Sequence, residues 1–203
     1  MARRLIVLTL VAALGLAVAG VASGEWFNVI RGTRSADVIT GTEHPDLVLA
    51  FAGNDQIATG DGRDIVYAGK DNDTVDGGAQ FDRLFGGQGD DSLNGGDGPD
   101  VIWGAAGNDT IEGGNGPGRL HGGKGDDTVN GGPDRDLIWG GPGVDSENGG
   151  DGNDVLHALA ADGQVDKLDC GPGDHDVAWL RAGEADTAVN CELVKTVTLS
   201  ANQ

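Results

Sequence analysis

The chain has 203 residues, of which only 38% are hydrophobic and 38 are glycine, which argues against a conventional thick hydrophobic core. Its 33 acidic residues outnumber 13 basic ones, and the net charge of -20 would repel nucleic acid and anionic membrane surfaces. Cations are therefore the partners that the composition favours.

Residues 1–24 have the pattern of a secretory signal peptide. Arg3 and Arg4 precede an apolar run from residue 5 to about residue 21, and small residues follow. We expect cleavage near residues 20–24 and a secreted bacterial protein with no stable membrane insertion. The apolar run of about 17 residues is close to the lower limit for spanning a bilayer, so an uncleaved anchor is the alternative.

After a short lead-in at residues 25–31, residues 32–157 repeat a nine-residue unit fourteen times without insertion or deletion. The unit reads G-G-x-G-x-D-x-U-x, where U is aliphatic. The sixth place is Asp in all units but one, namely Asp37, Asp46, Asp55, Asp64, Asp73, Asp82, Asp91, Asp100, Asp109, Asp127, Asp136, Asp145 and Asp154. The exception at the sixth place is Gly118. The eighth place is aliphatic in all units but one, and the exception there is Glu147. A fixed period of this kind predicts a solenoid.

The last three places of each unit would form a short strand whose eighth-place side chain points inward. The Gly-rich first six places would form a tight loop. Two units close one turn of 18 residues, so we predict an all-β solenoid with two parallel sheets and about seven turns. Sixth-place carboxylates of successive turns would then lie about 4.8 Å apart and repel one another unless cations bind between them.

Carboxylates and the carbonyl oxygens of Gly-rich loops form a hard, all-oxygen ligand set, which suits Ca²⁺ better than zinc, copper or magnesium. At these residues the chain resembles the haemolysin-type, or repeats-in-toxin (RTX), calcium-binding proteins. The resemblance covers residues 32–157 and implies a right-handed parallel β-roll that folds on binding several Ca²⁺ ions. It also implies that neighbouring loops share each ion through sixth-place carboxylates and carbonyl oxygens.

The loops closest to the family pattern are residues 86–91, 104–109 and 122–127. The expected metal site there adds the backbone of Gly86, Gly89, Gly104, Gly107, Gly122 and Gly125 to the Asp series. The chain departs from the pattern at Gly118, and at the fourth place of five units, which hold Ser35, His44, Asp71, Gln80 and Asp134.

Alternate units differ at their outward ninth place. The even units hold Leu49, Tyr67, Phe85, Trp103, His121, Trp139 and His157, whereas the odd units are mostly polar there. In one interpretation this aromatic ladder stabilises strand stacking or is covered by the C-terminal segment. In the other, the face of Tyr67, Phe85, Trp103, His121 and Trp139 binds an extracellular polysaccharide, a surface protein or a second copy.

Residues 158–203 are predicted to cap the apolar end of the roll, and they contain an imperfect echo of the repeat at residues 169–177. They hold the two cysteines of the chain, Cys170 and Cys191, which we expect to form one disulfide in an exported protein. Glu147, at an inward place, is expected to mark where the regular core stops.

The sequence does not indicate an enzyme, because its four His are scattered and no G-x-S-x-G or H-E-x-x-H motif is present. The predicted function is a secreted calcium-binding module with a structural or adhesive role. The alternative is a recognition module for polysaccharide or protein that uses the aromatic face. More distant alternatives are a non-catalytic remnant of a secreted hydrolase or toxin, and ice binding by Thr and Asn rows, which Asp76 and Glu112 interrupt.

Overall fold

Residues 27–198, the part of the chain that the computed structural model describes, form an all-β parallel solenoid. The predicted signal peptide at residues 1–24 lies outside the described residues. No helix long and apolar enough to cross a membrane occurs within residues 27–198.

The solenoid is built from short strands that alternate between two sheets. In chain order they are β1 (Asn28–Arg31), β2 (Val38–Thr40), β3 (Asp46–Leu49), β4 (Gln56–Ala58), β5 (Ile65–Lys70), β6 (Thr74–Asp76), β7 (Arg83–Gln88), β8 (Ser92–Asn94), β9 (Val101–Ala106), β10 (Thr110–Glu112), β11 (Arg119–Lys124), β12 (Thr128–Pro133), β13 (Leu137–Trp139), β14 (Ser146–Asp151), β15 (Val155–Ala158), β16 (Lys167–Asp169), β17 (Val177–Arg181), β18 (Thr187–Val189) and β19 (Leu193–Val197). The odd-numbered strands form a ten-stranded sheet and the even-numbered strands a nine-stranded sheet, both parallel throughout.

The register confirms that two nonapeptides make one turn. Leu84 pairs with Ile102 and Leu93 with Ile111, so equivalent residues lie 18 positions apart. The solenoid has about nine turns rather than the predicted seven, because its two ends also contribute strands. Before the repeats, β1 pairs with β3; after them, β16 to β19 continue both sheets. Whether the tail acts as a cap stays a prediction.

The core is a single line of inward side chains that runs along the solenoid axis. Eighth-place residues such as Leu84, Ile102 and Leu120 are completely buried. The expectation that the regular core stops at Glu147 is wrong, since Leu156, Leu168 and Ala178 continue it beyond that point. Glu147 is itself buried, and its Oε1 accepts a hydrogen bond of 2.6 Å from the Gly140 N–H.

The predicted disulfide between Cys170 and Cys191 is present. Cys170 is buried in the hydrophobic core just after β16, and Cys191 precedes β19. The bond therefore fastens the last turn to the turn before it.

Candidate functional site

The Gly-rich loops of successive turns lie in direct backbone contact, because from residue 51 onward nearly all of their second and fourth places adopt positive φ angles. At Gly87 φ is 119°, and a Cβ atom there would collide with the carbonyl oxygen of Gly69 in the preceding turn. At the fourth place, Asp71, Gln80 and Asp134 keep the same conformation, with φ of 72°, 81° and 83°. Replacement of the family's glycine therefore leaves the loop shape unchanged at those three units.

The sixth-place Asp side chains form two ladders, one along each edge of the solenoid. Each is at most 4% exposed. From Asp55 onward, Oδ1 accepts a hydrogen bond from the backbone N–H of the sixth-place residue one turn earlier, as in the 2.8 Å bond from the Asp91 N–H to Asp109. The structure thus brings the thirteen predicted Asp residues into two regular rows.

The second carboxylate oxygen is left without a partner in most of the ladder. The Oδ2 atom is buried and makes no hydrogen bond in Asp55, Asp64, Asp73, Asp82, Asp91, Asp100, Asp109, Asp127, Asp136, Asp145 and Asp154. In the first two units it instead accepts the N–H of Thr33 for Asp37 and of Thr42 for Asp46. Buried carboxylate oxygens without partners are costly, so these rows require protons or cations.

The first-place glycines leave room where carboxylate and carbonyl oxygens meet. A Cβ atom on Gly86 would collide with Asp91 Oδ2 and lie 2.9 Å from the Gly104 carbonyl oxygen of the next turn. The same pairing recurs at Gly104, with Asp109 and Gly122, and at Gly122, with Asp127 and Gly140. Fourth-place Gly89, Gly107 and Gly125 in turn face the carbonyl oxygen of the preceding turn.

This donor set fits calcium, because it consists of oxygen atoms only and combines carboxylates with backbone carbonyls. Among the described residues, no three His, Cys, Asp or Glu side chains converge to form a metal site. Since each loop places one buried sixth-place carboxylate here, an ion held at this position would also take ligands from the backbone.

The electrostatics of the ladder follow from burial and from like charges one turn apart. Burial raises the pKa of Asp82 to about 8; a hydrogen bond with the backbone of Asp64 opposes this rise, and the charges of Asp100 and Asp64 add to it. Burial likewise raises the pKa to about 7 in Asp73, Asp91, Asp127, Asp136 and Asp145. Near neutral pH, protons and metal ions would therefore compete for these carboxylates.

The sequence interpretation missed three members of these rows, Asp166, Asp176 and Asp186, the last of which accepts the Asp166 N–H through its Oδ1 at 3.1 Å. Asp166 and Asp176 are buried, and their Oδ1 atoms accept the N–H groups of Asp145 and Asp154 at 3.0 and 2.8 Å. Insertions lengthen the sequence separation between the bonded residues from 18 to 21 and 22, which breaks the nine-residue period. The D-x-U pattern of residues 166–168 was the signal that could have identified Asp166.

The aromatic ladder is a continuous stack on the outer face of the ten-stranded sheet. Successive rings have centroids 4.3–6.3 Å apart and planes within 7° of parallel, in the order Tyr67, Phe85, Trp103, His121, Trp139, His157 and Trp179. The C-terminal segment extends this stack through Trp179, over which Lys195 Nζ lies 4.4 Å from the ring centroid. Neighbouring rings thus cover one another's faces and leave mainly their edges exposed.

Comparison with protein families gives one match. The model of the RTX calcium-binding nonapeptide repeat matches four times, at residues 49–84, 85–120, 113–147 and 139–162, which together span more than half of the chain. No curated protein matches the sequence.

Proposed function

Because the chain belongs to the RTX calcium-binding nonapeptide repeat family, we propose that it is a secreted, non-catalytic module whose Gly/Asp loops bind several Ca²⁺ ions. We further propose a structural or adhesive role outside the cell, which fits the Cys170–Cys191 disulfide. The observation that carries calcium binding is the set of buried, partnerless Oδ2 atoms along both edges.

Each loop would hold an ion through two kinds of ligand, carboxylate oxygens and backbone carbonyl oxygens. Sixth-place carboxylates keep Oδ1 on the backbone of the preceding turn and leave Oδ2 for metal. First- and fourth-place glycines let carbonyl oxygens of neighbouring turns come close to that position. Bound Ca²⁺ would supply the positive charge that offsets repulsion along the carboxylate rows, so binding and folding would be coupled.

The geometry of the aromatic ladder favours its structural interpretation. Stacked aromatic pairs contribute roughly 0.5–1.5 kcal/mol each beyond their buried area. A polysaccharide that stacks on ring faces would find most of those faces covered by neighbouring rings. We therefore assign the ladder to stabilising the roll.

Calcium titration of the chain, followed by calorimetry and far-UV circular dichroism with and without chelator, tests the proposal. We expect heat of binding together with a gain of β structure. Asp109→Asn should retain the Oδ1 hydrogen bond from the Asp91 N–H but lose at least one bound ion. Glu112→Gln is the control, because this exposed carboxylate lies on strand β10, outside the Gly-rich loops. Complete β structure in chelator, without heat on adding calcium, would contradict the proposal.

A further inference from the structure

The N-terminal end of the aromatic ladder is exposed. Tyr67 stacks on Phe85 but has no ring on its other side, where the neighbouring strand carries Leu49 at the paired position. Every later ring up to His157 lies between two others. Tyr67 is accordingly 46% exposed, more than any other ring of the ladder.

A second exposed ring, Phe51, has an unusual backbone conformation. From residue 51 onward, the second place of the repeat unit is glycine except at Phe51 and Ala105. Phe51 has a φ of 81°, a left-handed conformation that is unfavourable for a bulky residue. Its side chain is 49% exposed, so burial offsets little of this cost. Strained residues of this kind occur preferentially at ligand-binding sites.

Both rings line the same groove, which has a volume of about 440 Å³ and opens to the surface. Leu49, Phe51 and Tyr67 provide its apolar side chains. Gly69 and Gly87, which pair across adjacent strands, also line it and have no side chain to fill it. The volume is within the usual range of small-molecule sites.

Lys70 brings a positive charge to this groove. Its side chain is exposed and forms part of the lining. Within residues 27–198 it forms no ion pair with an acidic side chain; the ion pair in this part of the chain joins Arg181 to Glu184. The net charge of -20 opposes the docking of a second copy, and the groove has the size of a small molecule. Exposed rings beside a free ammonium group favour a planar aromatic anion.

We propose that the groove binds a small planar aromatic carboxylate. The ligand ring contacts Phe51 and Tyr67 above the backbone of Gly69 and Gly87, and the ligand carboxylate pairs with Lys70 Nζ. This inference rests on the proposed calcium binding, because bound Ca²⁺ would offset the carboxylate rows that otherwise repel an anion.

Titration of the calcium-loaded chain with three ligands, followed by calorimetry, tests the ligand class. Naphthoate has planar rings and a charge, naphthamide keeps the rings without the charge, and cyclohexanecarboxylate keeps the charge without an aromatic ring. We expect naphthoate to bind at least fivefold more tightly than naphthamide and at least tenfold more tightly than cyclohexanecarboxylate. Equal affinity of naphthoate and either of the other two ligands would overturn the inference.

Two pairs of variants locate the site. Phe51→Gly removes the ring and relieves the backbone strain, so the fold should persist while naphthoate binding weakens at least tenfold. Ala105→Gly makes the same backbone change at the same place of a unit outside the groove and should leave the affinity unchanged. Lys70→Gln should weaken binding of naphthoate several-fold but not that of naphthamide. Lys124→Gln, at the equivalent exposed place three turns later, should affect neither ligand.

Unchanged naphthoate binding in Phe51→Gly would overturn the inference, as would calcium binding without any naphthoate affinity. In the second case the proposed calcium-binding function would stand. Naphthoate binding to a folded chain that takes up no calcium would contradict the proposed function and leave the groove assignment in place. A chain that binds neither ligand would contradict both.

Discussion

Glu147 is an acidic side chain within the line of core residues, paired across the sheet with Val129 on one side and Leu168 on the other. Burial raises its pKa well above the ordinary value; the Gly140 N–H opposes this, and the charges of Asp145 and Asp166 add to it. A raised folded-state pKa means that folding favours the protonated form. The resulting stability is complete below the unfolded pKa, near 4.5, and is lost as pH rises toward the folded value.

Glu147→Gln should therefore stabilise the protein at pH 8 but not at pH 4. The amide oxygen still accepts the Gly140 N–H, and no carboxylate has to be buried in ionised form. Within the window between the two pKa values, the gain should grow by about 1.4 kcal/mol per pH unit. Urea unfolding of the calcium-loaded protein measures it. Glu112→Gln, on the exposed face of the other sheet, is the control, and an equal gain there would refute the explanation.

At the scale of elements, strands β5, β7, β9, β11, β13, β15 and β17 each contribute one ring to the aromatic ladder. Trp103 lies 4.6 Å from Phe85 and 5.7 Å from His121, centroid to centroid. Its removal would break two stacking contacts at once. The described ninth places of the nine-stranded sheet carry no aromatic rings to stack. Asn94, for example, makes a long 3.3 Å side-chain hydrogen bond to Asp76.

Trp103→Ser should lower the free energy of unfolding by roughly 1–3 kcal/mol through the lost stacking. Near-ultraviolet circular dichroism should weaken, because coupled rings are separated, while far-ultraviolet signal and calcium stoichiometry remain. Asn94→Ser is the matched control at the same place of the other sheet and should change stability by less than about 0.5 kcal/mol. Equal effects of the two substitutions would contradict a stabilising role for the ladder.

At the scale of the whole molecule, the carboxylate rows couple folding to both pH and calcium. Burial raises the pKa from 3.8 to about 6 in Asp55 and to about 8 in Asp82, and most other ladder residues shift in the same direction. In metal-free protein these groups stabilise the fold fully below pH 3.8, and this contribution is lost as pH rises through 6–8. Calcium binds the ionised form, so it should oppose this loss.

The melting temperature in chelator should thus fall as pH rises from 4 to 8, most steeply above pH 6. In excess Ca²⁺ it should stay level or rise over the same range, and calcium binding near pH 6 should release protons. Thermal melts at matched ionic strength and calorimetry in two buffers measure these effects. A chelated protein whose melting temperature increases with pH would contradict the coupling.

Much of the fold could be predicted from local sequence, because each nine-residue unit repeats the same pattern of glycine, aspartate and aliphatic residues. The place of Leu84 and Ile102 in the core followed from the nine-residue period, and so did the alignment of Asp91 with Asp109. The tail could not be predicted in this way, since its insertions hide the period that places Asp166 in the ladder. Glu147 was misjudged because a buried carboxyl can persist in its neutral form when a backbone N–H partners it.

The sequence by itself determined the repeating unit, two units per turn, which residues point inward, and an oxygen-rich ligand set along both edges. Only the tertiary structure decided the number of turns, the stacking of the rings through Trp179, and the place of Asp166 in the carboxylate rows. The physical reason is distance along the chain. A nine-residue pattern fixes contacts within a unit, whereas contacts between turns join residues 18 or more positions apart and depend on how every turn stacks on the next.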